Sequence, residues 1–164
     1  MKFTEEAMRE VETNYTELKE IANDMLGDFF SPIDETIKKL ENNINNLTVD
    51  SIKEAILTLS IQSYKISEIK DKTMLKAELA ETLKKEAYAT SYTGVDGTVA
   101  TKENFALLQS SPQIVTELLY DLVSSLAKTK LDEVHRVVDS LKSILMSRMQ
   151  EMKMNMSSST YEGD

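Results

Sequence analysis

Apolar residues recur every three or four positions along almost the whole chain, which is the signature of amphipathic helices. A first helix, capped by Thr4, carries the stripe Met8, Val11, Tyr15, Leu18, Ala22, Met25 and Phe29. Ser31-Pro32 reads as an N-cap with proline at the first helical position. It therefore opens a second, short helix through Ile33, Ile37, Leu40, Ile44 and Leu47. Thr48 or Asp50 starts a third, whose period runs through Ile52, Ala55, Ile56, Leu59, Ile66, Ile69, Thr73, Leu79 and Leu83 to about Tyr88. That is roughly 40 residues, or about 60 Å at 1.5 Å per residue.

A loop follows over residues 91–98, where Gly94, the turn dipeptide Asp96-Gly97 and the capping residue Thr98 cluster. A short helix through Phe105 and Leu108 ends at Gln109-Ser110, and Ser111-Pro112 repeats the start signal. The last helix, again of roughly 40 residues, carries Val115, Leu119, Leu122, Leu126, Val134, Val137, Val138, Leu141, Leu145, Met149 and Met152. No internal repeat stands out. The expected fold is all-α: an elongated antiparallel hairpin of two long helices with additional N-terminal helices. Such a hairpin leaves apolar flanks uncovered, so the chain is expected to be oligomeric. One domain is expected over residues 1–156, with acidic helices at 4–47 and the hairpin at 49–153. Residues 157–164 read as a disordered tail.

Composition agrees with this reading. Four Gly and two Pro in 164 residues compare with roughly a dozen and eight at average usage, which leaves few breaks between helices. The chain has no cysteine, so disulfides and thiolate chemistry are excluded. No stretch approaches the length of a membrane span and no apolar leader opens the sequence. The expectation is a cytoplasmic protein that does not enter membranes.

The net charge of −9 argues against general affinity for nucleic acid, but its distribution is uneven. Residues 1–64 hold 13 acids against 6 bases, while residues 65–90 hold 5 against 6. Two charged surfaces follow. The first helix offers Glu6, Glu10, Glu17, Glu20, Asp24 and Asp28 to a basic partner. The middle offers Lys65, Lys70, Lys72, Lys76, Lys84 and Lys85 to phosphates, with Tyr88 and Tyr92 as platforms on which bases could stack. Interleaved acids, such as Glu81 one turn before Lys85, equally make that lysine set a solvated helix face.

Little else carries chemistry. His135 is the only histidine and lies mid-helix. Glu17-x-x-Glu20 and Glu68-x-x-Asp71 resemble the magnesium-holding pairs of all-helical nucleotide pyrophosphohydrolases. In a chain with 28 acids such pairs arise freely as solvated faces. No catalytic residue, metal site or cofactor is expected, and the chain does not read as an enzyme.

Between Leu75 and Lys153 the order of features resembles the recombination mediators of T4-type phages and related short helical phage proteins. The residues that carry it are Leu83-Lys84-Lys85-Glu86-Ala87-Tyr88, the loop from Tyr92 through Gly94, Asp96 and Gly97 to Thr98, then Lys102, Ser111 and the helix from Pro112. The stretch from Gly97 to Ala100 is similar to a Gly-Thr-Val-Ala segment of small phage proteins. The resemblance implies a ring-forming accessory protein of DNA recombination or replication that binds single-stranded DNA and a protein partner in the host cytoplasm. Glu86 and Tyr88 stand where basic residues are expected. The rival expectation is an acidic protein-interaction module, such as a phage inhibitor of a host defence or DNA-processing enzyme.

Overall fold

The structure, a computed structural model, describes residues 2–159, with the side chains of residues 2–4, 6 and 155–159 excluded. Three α-helices account for nearly all of it: α1 Lys2–Asn42, α2 Val49–Gly94 and α3 Val99–Ser159. A single 3-10 turn, Ile44–Asn46, separates α1 from α2, and no strand occurs among the described residues. The fold is all-α.

Both helix starts are built as the sequence implies. The Thr48 hydroxyl accepts a bond from the Ser51 amide at 3.1 Å, and Ser51 Oγ accepts one from the Thr48 amide at 2.9 Å. These reciprocal bonds occupy backbone donors that open α2. At α3 the Thr98 hydroxyl accepts from the Thr101 amide at 3.3 Å. Gly97 has φ of 150°, and a β-carbon there would sit 3.3 Å from the Thr101 side chain. The turn thus depends on glycine.

Four expectations need correction. The break at Ser31-Pro32 and the break at Ser111-Pro112 are both absent, because α1 and α3 run straight through their prolines. α2 continues past Tyr88 to Gly94, which shortens the loop to residues 95–98. α3 extends to Ser159, so residues 157–159 of the expected tail are helical, while residues 160–164 lie outside the described residues. Thr4 falls inside α1 instead of capping it, and its side chain lies outside the described residues. The two proline sites share one local pattern, Ser-Pro followed four residues later by threonine. Thr36 and Thr116 each donate a hydroxyl bond to the preceding proline carbonyl at 2.8 Å. Proline removes the donor to the carbonyl four residues earlier, which belongs to Asp28 or Leu108. Both of those residues are exposed, so water can hydrate the freed carbonyl.

The helices form two compact units. The second unit in chain order, built from residues 28–67 and 129–159, has a core of large aliphatic side chains: Ile33, Leu47, Ile52, Leu59, Ile66, Leu131, Val134, Val138 and Leu141. The one built from residues 2–27 and 68–128 buries mainly small ones. Ala22, Ala77, Ala80, Ala106 and Ala127 are joined there by Thr73 and Ser110, with Leu26 and Val123 as the larger members. Along α2 the buried positions Ile52, Leu59, Ile66, Thr73 and Ala80 recur every seven residues, the coiled-coil repeat, with shrinking side chains.

If both prolines are helix-interior residues, Pro32→Ala and Pro112→Ala each restore a backbone donor. Each should stabilise the fold by about 1–3 kcal/mol in urea unfolding. A neutral or destabilising result at either position would indicate a helix start there instead.

Candidate functional site

The expected phosphate-tracking lysines are largely engaged with carboxylates. Lys72 bonds Glu68 at 2.6 Å and Lys85 bonds Glu81 at 2.7 Å, each one turn apart on α2. Lys70 lies 3.2 Å from Asp71. Lys84, half-buried, reaches across to Glu117 of α3 at 2.5 Å. Lys76 sits over the Tyr120 ring, 5.2 Å from its centroid. Lys65 is exposed, but it belongs to the other unit. The Lys85 ammonium is pushed above its ordinary value by the hydrogen bond to Glu81, whose carboxyl that bond holds low. A lysine already paired releases less free energy on meeting a phosphate, because the protein carboxylate must first be displaced.

The loop end of the same unit holds together better. Tyr88 and Tyr92, one turn apart and both half-buried, stack with ring centroids 6.2 Å apart and planes 17° from parallel. Lys102, at the start of α3, places its ammonium 6.0 Å from the Tyr92 ring centre. Asp96 is exposed in the turn between Gly94 and Thr98. This cluster joins a cation to aromatic faces, the combination that single-stranded bases meet.

The acidic set lies on α1. Glu10, Glu17, Glu20 and Asp24 are all exposed, and at about 100° per residue they share one face of the helix. Asp28 belongs to the second unit, and the Glu6 side chain lies outside the described residues.

The apolar face opposite those acids is only half covered. Ala22 and Leu26 are fully buried and Leu18 is half-buried, but Met8, Val11 and Tyr15 are 68%, 68% and 52% exposed. All six lie within an arc of about 80°. The face therefore continues beyond what the chain itself covers. Every described side chain from Glu5 to Glu17 is exposed. Periodicity alone cannot separate a stripe that packs within the chain from one that awaits something else.

Other chemistry is sparse among the described residues. They contain no group of three or more His, Asp or Glu side chains placed to hold a metal. His135 is exposed on α3. Among the described residues no helix is long and apolar enough to cross a membrane. In the second unit an open groove of about 400 Å³ is lined by Thr36, Lys39, Asn43, Thr48, Ser51 and Glu54. An apolar cleft of about 280 Å³ lies among Ile37, Leu40, Ile44, Val137 and Ile144. In the groove the Ser51 hydroxyl is occupied by the Thr48 backbone, accepting from its amide and donating to its carbonyl, each at 2.9 Å.

One enclosed charge is structural. Lys130, in the second unit, bonds Asp34 at 2.5 Å and Glu133 at 2.8 Å and sits 5.6 Å from the Phe30 ring centre. Burial pulls its ammonium down, but the bonds it donates to Asp34 and Glu133 outweigh that and leave the group above its ordinary value of 10.5. Its contribution to stability is thus complete below pH 10.5 and is lost as pH rises through the higher folded value. The stability gap between the wild type and Lys130→Met should hold steady from pH 7 to 9 and shrink above 10.5 in urea unfolding. A gap that stays constant to pH 11 would contradict this role. Compared with family models, with curated proteins and with solved structures, the chain finds no match.

Proposed function

We propose that this chain is a non-catalytic helical interaction module of the cytoplasm that docks on another protein through the N-terminal part of α1. The observation that carries this reading is the unpacked stretch from Glu5 to Glu17, with Met8, Val11 and Tyr15 on one face and acids on the other. An isolated helix of about four turns is marginal in water. A partner groove that receives the apolar face would supply the missing burial, as amphipathic helices do when they dock. The acidic back, with Glu10, Glu17, Glu20 and Asp24, would steer the approach to a basic surface. A host defence or DNA-processing enzyme, with this chain as its inhibitor, is the partner class that this charge fits. Such targets carry basic surfaces that would otherwise meet nucleic acid.

A second reading, an accessory protein of phage DNA recombination that acts like the T4-type mediators, is favoured by the Tyr88, Tyr92 and Lys102 cluster. The contacts between α2 and α3 support the antiparallel hairpin expected from the helix periodicity. The α3 partner moves from Glu117 to Tyr120 as the α2 residue moves back from Lys84 to Lys76. The paired lysines beside that cluster make it the weaker of the two.

Capture from host lysate by immobilised wild type, by Met8→Glu/Tyr15→Glu and by a variant with Lys at positions 10, 17, 20 and 24 tests the first reading. A partner retained by the wild type and lost from the apolar variant is expected. The charge-reversed variant should associate at least tenfold more slowly, with a weaker salt dependence. An identical partner list for all three proteins would end the proposal. In parallel, binding of a single-stranded oligonucleotide at low salt that falls with Tyr92→Ala and Lys102→Ala would favour the second reading, and no binding there would remove it.

A further inference from the structure

On the second half of α2 the usual placement of large and small residues is inverted. Thr73, Ala77 and Ala80 are buried, and half-buried Lys84 bonds Glu117 on the same side. Leu75, Leu79 and Leu83 lie on another face and are 61%, 58% and 46% exposed. A surface helix of a self-sufficient domain turns its leucines inward and leaves small or polar residues outside. Here the leucines form an i, i+4, i+8 ridge, the kind that packs into the matching ridge of a second helix at a crossing near −50°.

The charges around the ridge decide what that second helix is. Residues 65–90 are almost neutral, with six bases against five acids, so two copies of this stretch do not repel each other as two acidic α1 helices would. When the ridge meets its own copy antiparallel across a two-fold axis at Leu79, Leu75 faces Leu83 of the second copy. Seven residues on either side of the axis, Lys72, which bonds Glu68 one turn back on its own helix, comes opposite Glu86 as a second carboxylate, and the symmetry repeats that pair. Lys76 falls opposite Thr82, Glu78 opposite Ala80 and Asp71 opposite Ala87, so no charge faces one of its own sign. A two-fold interface must be complementary to itself, and this register meets that condition.

We infer that the Leu75, Leu79 and Leu83 ridge of α2 is a homodimer interface in which two chains cross antiparallel at Leu79. This face is separate from the docking face of α1, so each can fail without the other.

The absence of native cysteine makes the test direct. In the full chain, Leu79→Cys places two thiols at the axis and should give a disulfide-linked dimer rapidly under mild oxidation. Leu57→Cys, equally exposed but in the other unit, should not. By sedimentation over a concentration series the wild type should be a dimer. Leu79→Lys should raise the dissociation constant about thirtyfold or more while helicity by circular dichroism is unchanged. Lys72→Glu should weaken the dimer, and adding Glu86→Lys should restore it. A monomeric wild type, an assembly indifferent to Leu79→Lys, or equal cross-linking at positions 57 and 79 would each overturn the inference.

Discussion

The fold rests on the layer of aliphatic side chains that α1, α2 and α3 bring together in the unit of residues 28–67 and 129–159. Ile33, Ile52, Leu59, Ile66 and Val134 are wholly buried there, and Leu141 nearly so. Fully burying one such side chain contributes about 1.5–3 kcal/mol. The chain has no disulfide, and among the described residues there is no strand and no other layer of large aliphatic side chains buried on that scale. The same heptad register carries on along α2 into the other unit, but its occupants become Thr73 and Ala80. Alanine and threonine let helices approach closely yet remove little apolar surface from water, about 2 kcal/mol less per position than leucine.

That difference in core chemistry organises the functional reading. The small-residue unit also places polar groups inside. The Lys84–Glu117 pair crosses between helices, and Gln113 Oε1 is buried with no hydrogen-bond partner among the described residues. Large apolar side chains lie outside on α1 at Met8, Val11 and Tyr15 and on α2 at Leu75, Leu79 and Leu83, and the other unit also exposes Leu57, Ile61 and Tyr64. Exposed apolar faces of this extent mark interaction surfaces. The lysines that would have made a phosphate-binding face are committed to Glu68, Asp71, Glu81 and Glu117. Docking through helix faces fits this surface better than polyanion binding.

The helical class, the Thr48 and Thr98 starts and the Gly97 turn were legible because each depends on local chemistry. The two Ser-Pro signals misled for a physical reason. Proline at a helix start and proline inside a helix both lack a donor, and only the surroundings of Asp28 and Leu108 separate the cases. The stripe on the first half of α3 was also displaced by one residue, since Val123 and Ala127 are the buried positions, not Leu122 and Leu126. A pattern that ranks positions by hydrophobicity chooses leucine over alanine, whereas close helix packing chooses the smaller side chain. The same preference hid the exposed ridge on α2. The sequence signal that could have exposed it was the competing stripe Thr73, Ala77 and Ala80, spaced by four and three.

Amide hydrogen exchange of the free chain, read peptide by peptide along α1, tests the account most directly. Exposed helix held by no tertiary contact opens locally, while helix packed on a large aliphatic layer opens only with the whole unit. Fast exchange is expected over residues 5–17, intermediate protection around Ala22 and Leu26, and the slowest exchange around Ile33. Uniform protection from residue 5 through residue 40 in the free chain would contradict it. The N-terminal stretch of α1 would then need no partner to be held, and the argument for docking would fall with it.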